Sequence, residues 1–177
     1  MMLRAWVKIR ENFAYLLLSV APLLITCDFA IGAQLVGEVI AVTDGDTIKV
    51  LDASKSVYKI RLAGIDAPES HQAFGEKSHQ NLAALVFRKS VVIEWEKVDR
   101  YGRIVGKVLL QNEDINLKQI EIGLAWHYKQ FAKDQSTTDQ RLYAVAESRA
   151  RDERRGLWQD AAPIPPWEWR KSRRSRK

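Results

Sequence analysis

The chain has 177 residues, a formal net charge of +6 and a single cysteine, Cys27. That length suits one domain with a core of its own, and one cysteine excludes a disulfide framework. The charge does not describe a uniformly basic body: residues 170–177 alone carry +6, residues 1–33 carry +1, and the stretch between them carries −1.

In chain order, Arg4, Lys8 and Arg10 precede sixteen uncharged residues, Asn12 to Cys27, rich in leucine. This is the layout of an export signal, with cleavage expected after Ala33. Pro22 interrupts the apolar run, which falls short of the roughly 20 residues that span a bilayer, so a permanent anchor is the second expectation. "LLITC" is a weak lipoprotein match, because Thr26 is large for the position before a lipidated cysteine. The expected divisions are a signal segment at 1–33, a folded body at 34–160 and a tail at 161–177.

From Gln34, "QLVGEVIAVTDGDTIKV" and "SVYKIRLAGI" read as three β-runs joined by an Asp-Gly turn and by "DASKS". Asp44 and Gly45 are expected to make the turn, with Gly45 supplying a positive φ. "DAPESHQAFGEKSHQNLAALVFRKS" starts as a loop at Pro68 and becomes helical near Phe74, with Leu82, Leu85 and Val86 as its apolar stripe. "VVIEWEKVD" and "RIVGKVLLQ" are two more strands around "RYG". "INLKQIEIG" is a short helix closed by Gly123. A longer helix follows, capped by Ser136 and stopped by Gly156. "LWQDAAPIPPWEWR" is proline-punctuated and reads as irregular, with Trp158, Trp167 and Trp169 free to pack back on the body. The last eight residues read as a solvated basic terminus. The fold class is therefore α+β, mainly β: a five-stranded oligonucleotide-binding (OB) barrel with about three helices.

Turn geometry accounts for Asp44 and Gly45 but not for Asp46, a charged residue poorly suited to a strand. Arg61, Asp66, Glu69 and Arg103 raise similar questions, although each alone is an ordinary surface arginine or turn-forming acid. Together they supply what phosphodiester cleavage requires, namely positive charge arranged in advance around a doubly negative transition state. Asp46 and Asp66 offer hard oxygen ligands to a metal such as Ca²⁺, and two carboxylates leave room for water and a phosphate. Glu69, displaced from Asp66 by Pro68, can reach a water as general base. Arg61 and Arg103 can grip a phosphate bidentately, which lysine cannot copy.

"DGDT" at 44–47, "RLAGIDAPE" at 61–69 and "DRYGR" at 99–103 resemble, in this order, the thermonuclease family typified by staphylococcal nuclease. "GLAWHYK" at 123–129 and "RRGLW" at 154–158 also look like family blocks, so the resemblance covers about residues 36 to 160. It implies a calcium-dependent endonuclease acting on DNA and RNA as a monomer and leaving 3′-phosphate ends. By position it makes Asp46 and Asp66 calcium carboxylates, Arg61 and Arg103 catalytic phosphate-binding arginines, and Glu69 the water-activating carboxylate. It adds Ala67, through its backbone carbonyl, to the metal site, and Tyr101 to the phosphate. Ala67 stands where the family often has threonine, and "AWHYKQF" replaces a longer tyrosine-containing segment. Either Trp126 or Tyr128 is then the residue that stacks on a base. A lone His127 is expected to be structural. The competing readings are a non-catalytic nucleic-acid-binding barrel and an anchored interaction protein.

Overall fold

The computed structural model describes residues 33–175, so the expected export signal, apart from its last residue Ala33, lies outside the described residues. Its first strand, β1 (Ala33–Asp44), is long because β-branched and glycine residues let it bend and change partners. Its first half pairs with β5 (Ser90–Val98) and its second half with β2 (Thr47–Asp52), with register shifts at Val39/Ala41 and Val42/Asp44. β3 (Val57–Leu62) pairs antiparallel with β2, and β6 (Ile104–Leu110) pairs antiparallel with β5.

A parallel pairing of β3 with β6, Ile60 opposite Ile104 and Leu62 opposite Gly106, closes the circuit. The result is the expected closed five-stranded barrel, in the OB arrangement. Closure needs Gly106: a Cβ there would lie 2.6 Å from Ile93 Cγ2 and 2.8 Å from the Glu94 carbonyl oxygen. Short strands β4 (Ile65–Asp66) and β8 (Trp126–His127) pair with each other, and β7 (Glu113–Asp114) extends β6.

The barrel interior is filled by alternate residues of the strands, among them Val39, Ile48, Val50, Ile60, Leu62, Ile93 and Val108, all essentially inaccessible. Helix α1 (Gly75–Val86) caps one end with Leu82 and Val86, as its apolar stripe requires, while Leu85 packs at the margin. Helix α2 (Ile115–Glu121) adds Ile115 and Ile120, and α3 (Thr137–Asp152) adds Tyr143. The Ser136 side chain caps α3 through the Asp139 amide, as expected.

Three local expectations are corrected. Gly45 does not take a positive φ; it is required because a Cβ there would overlap Ser78 Oγ and lie 2.7 Å from Ala67 Cβ. The turn itself is Gly45–Asp46, between the paired residues Asp44 and Thr47. Helix α3 stops at Asp152, before Gly156, which opens a 3₁₀ turn over Gly156–Gln159.

The third correction concerns the tail. "PWEWRKSRR" forms a helix, α4 (Pro166–Arg174), rather than irregular chain. Pro166 occupies its first turn, where the missing amide proton costs nothing. The protein thus has four α-helices among the described residues. None of them is long and apolar enough to cross a membrane.

Candidate active site

Asp46 leaves the barrel rim at the β1–β2 turn and is buried beside Asp66 of β4. Its position is fixed by backbone: its carbonyl accepts from the Leu62 amide at 2.8 Å, and its amide donates to Asp44 Oδ1 at 3.1 Å. Gln119, buried on α2, donates to the preceding Gly45 carbonyl at 2.8 Å. The Asp46 carboxylate accepts from the Ala67 amide at 2.8 Å and from the Thr47 hydroxyl at 3.0 Å.

Arg61, opposite Thr47 in the β2–β3 register, reaches across both aspartates. Its Nη1 lies 2.9 Å from Asp46 Oδ2, and its Nη2 donates to Asp66 Oδ1 at 2.8 Å. Nη1 also donates to the Leu62 carbonyl at 3.1 Å, so the guanidinium is held in one plane. Sequence reasoning therefore named a set that the fold does bring together: Asp46, Arg61, Asp66 and Ala67.

Glu69 stands at the edge of this group on the loop after β4. Gln72 holds it from both sides: the Glu69 carbonyl accepts from the Gln72 amide at 2.8 Å, and the Glu69 amide donates to Gln72 Oε1 at 3.2 Å. Gly75 lets this loop fold tightly, since a Cβ there would overlap the Glu69 carbonyl oxygen. The Glu69 side chain is 40% exposed, so it faces solvent while touching the buried pair through a neighbour.

That neighbour is Arg170 of α4, which sequence reasoning missed. Its Nη2 donates to Asp66 Oδ2 at 2.8 Å, and its Nη1 reaches Asp66 Oδ1 at 3.2 Å and Glu69 Oε1 at 2.8 Å. A signal did exist: Pro166 is a good helix start, and Trp167, Arg170 and Arg174 recur at i, i+3 and i+7 on one helical face.

Arg103 is arranged differently. Its Nε donates to Asp99 Oδ2 at 2.8 Å, and Asp99 Oδ1 accepts from the amides of Tyr101 and Arg103. Burial alone would raise the Asp99 carboxyl, but these bonds outweigh it and hold it below the ordinary range. Gly102, with φ of 73°, makes the turn possible. Among the described residues, no ion pair joins Arg103 to Asp46, Asp66 or Glu69. It does stand two residues before Val105, the register partner of Arg61, and so has the same strand parity as Arg61. Tyr101 is 67% exposed at the tip of this turn, with the Arg100 and Arg103 guanidiniums 4.9 and 5.5 Å from its ring centroid.

The two candidate base platforms differ sharply. Trp126, only 7% exposed, is enclosed by Trp158 and Trp167, with centroids 4.4 and 5.5 Å away, and by the Arg151 guanidinium. It is a packing residue with no open face for a base. Tyr128 is half-buried and stacks one face on Trp167 at 5.3 Å and 9°. His127 is buried with Nε2 on Gln135 Oε1, a structural histidine as expected.

Burial dominates the electrostatics of the cluster. Burial, and next the charge of Asp46, push the Asp44 carboxyl up to about 7. Burial also lifts Asp66 above the ordinary carboxylate range, although Arg170 and Arg61 pull the other way. Among the described residues, no three His, Cys, Asp or Glu side chains converge as a complete protein cage would. Two carboxylates, a nearby backbone carbonyl and water would share the oxygen coordination shell of a hard cation.

Comparison with known proteins makes the chain a nuclease, a hydrolase of phosphodiester bonds. The family model described as "Staphylococcal nuclease homologue" matches residues 59–160, and the chain belongs to that family. It is 36% identical over 177 residues to Protein ParB of Escherichia coli, covering 95% of this chain and 97% of that protein. It is 42% identical to an uncharacterized endonuclease of E. coli over 78% of this chain and 86% of the relative. To the micrococcal nuclease of Shigella flexneri it is 42% identical over 77% of this chain and 80% of the relative.

Proposed function

We propose that the chain is a calcium-dependent endonuclease that hydrolyses DNA and RNA and leaves 3′-phosphate ends. The observation that carries this reading is the Arg61 guanidinium spanning the buried carboxylates of Asp46 and Asp66, with Glu69 facing solvent at the same rim. Relatives with endonuclease and nuclease names support the reaction class.

Asp46, Asp66 and the Ala67 carbonyl would hold the cation, which when bound supplies fixed positive charge against the phosphate oxygens. Glu69 takes a proton from a water, and the water oxygen forms a bond to phosphorus. The bond from phosphorus to the 5′ oxygen breaks, the phosphate stays on the 3′ oxygen, and the departing 5′ oxygen gains a proton. Arg61, oriented by Leu62 and the aspartates, stabilises the charge that grows on the phosphoryl oxygens through the N–H groups those partners leave free. Arg103 contributes a second guanidinium when the Asp99 pair opens toward the substrate, and Tyr101 and Tyr128 line the approach. The leucine-rich N-terminus supports export, cleaved after Ala33, and N-terminal sequencing of the exported protein checks it.

The test is plasmid and RNA cutting by wild type and Glu69→Ala, in calcium and then in chelator. Wild type cuts only in calcium, and Glu69→Ala, with an unchanged far-ultraviolet spectrum, cuts about 10²- to 10⁴-fold more slowly. Equal rates for the two proteins would refute the role given to Glu69.

A further inference from the structure

Three carboxylates, Asp46, Asp66 and Glu69, meet two guanidiniums at the barrel rim, Arg61 and Arg170. Arg103 is matched by Asp99 and adds no net charge. Asp44, which accepts from the Asp46 amide, adds a fourth carboxyl to the same rim, so carboxyls outnumber these two guanidiniums. Arg170 is the guanidinium that α4 brings to them.

The Arg170 fork lies on Asp66 and Glu69, the carboxylates a cation and a water would also use. Beside it is a cavity of about 320 Å³, lined by Glu69, Ser70 and His71 on one side and by Arg170, Arg173 and Arg174 on the other. Arg173 and Arg174 form no ion pair with a carboxylate among the described residues, and both are exposed. A cavity with three arginines against one carboxylate suits an anion, and a planar fork suits a phosphate. Pairing with Asp66 and Glu69 keeps Arg170 within one side-chain swing of that space.

We propose that Arg170 is a substrate-binding arginine of the α4 helix: it rests on Asp66 and Glu69 in the cation-free protein and passes to a backbone phosphate of the polynucleotide, in the cavity beside Glu69, when cation takes those carboxylates. This rests on the metal-dependent nuclease reading and adds to it a phosphate subsite supplied by the chain's C-terminal helix. It also makes Arg170 a competitor of the cation until substrate arrives.

Both halves are measurable without turnover, by calorimetric titration of the full chain, wild type, Arg170→Gln and Arg170→Lys, with Lys171→Gln as a control on the exposed side of α4. Calcium chloride is titrated first, then a deoxynucleoside 3′,5′-bisphosphate in saturating calcium. In Arg170→Gln, calcium binds several-fold tighter, about 3- to 10-fold, because its competitor is gone, while the bisphosphate binds about tenfold or more weaker. Arg170→Lys, which keeps the charge and the docked helix, falls between, and Lys171→Gln matches wild type. Bisphosphate affinity equal to or tighter than wild type in both Arg170 variants overturns the phosphate role. Unchanged calcium affinity in Arg170→Gln overturns the exchange. A wild type that binds neither calcium nor bisphosphate overturns the underlying nuclease reading instead.

Discussion

Asp44 shows how a single side chain reports on the site without belonging to its chemistry. It accepts the Asp46 amide and lies in the shadow of the Asp46 charge, and burial with that charge pushes its carboxyl up to about 7. A folded-state value above the unfolded one means the protonated form stabilises the fold. That stability is lost as pH rises from the unfolded value, near 4, to about 7. In chelator, Asp44→Asn should thus be more stable than wild type by on the order of 1–3 kcal/mol at pH 8, with the gain vanishing near pH 4. Urea unfolding at the two pH values measures this. A difference that does not change with pH would show that Asp44 carries no such burden. Added calcium should narrow the gap at pH 8, because a cation near Asp46 offsets the same repulsion. Gly45 makes a related point, since the reason for glycine there is the close approach of Ser78 and Ala67, which no local pattern records.

At the scale of elements, α4 is the part whose role the sequence least announced. Three kinds of contact fasten it to the barrel: Gln72 donates to the Ile164 carbonyl just before it, Trp167 stacks on Tyr128 and meets Trp126 edge-on, and Arg170 pairs with Asp66 and Glu69. Of these contacts only the Arg170 pairs depend on charge, and the aromatic stack does not. Trp167→Ala should raise amide exchange across residues 167–174 by about tenfold or more while the barrel strands keep their protection. Exchange rising equally in β1 to β6 would mean that α4 is part of the barrel's own cooperative unit. High salt should loosen α4 less than this substitution does, since screening acts on the Arg170 pairs but not on the stack.

At the scale of the whole molecule, one buried amide braces barrel closure. Asn116, inaccessible on α2, accepts from the Val108 amide at 3.1 Å and donates to the Ala63 and Gly106 carbonyls at 3.0 and 3.2 Å. It thereby ties the end of β3 to β6, where the parallel pairing seals the circuit and sets the height of Arg61. Asn116→Leu, close in volume, would leave buried backbone groups unpartnered at a cost of about 2–4 kcal/mol. The urea midpoint should fall with the slope unchanged. A shift under about 0.5 kcal/mol would mean that water takes over these bonds.

Much of this was legible in the chain itself. Period-two runs placed the five barrel strands, the Leu82 and Val86 spacing placed α1, and Ser136 announced α3, because each signal is carried by neighbours in sequence. Asp46, Arg61, Asp66 and Glu69 could be named because, although each alone is an ordinary turn or surface residue, together they supply the carboxylates and guanidiniums that phosphodiester chemistry needs and stand in ordered motifs that resemble a known family. What only the tertiary structure decided depends on contacts between distant segments. The burial of Trp126 comes from Trp158 and Trp167, 32 and 41 positions further along. Arg170 reaches Asp66 across 104 positions. No local pattern encodes which carboxylate a distant arginine will find, since that depends on the closed barrel presenting Asp66 and Glu69 at its rim.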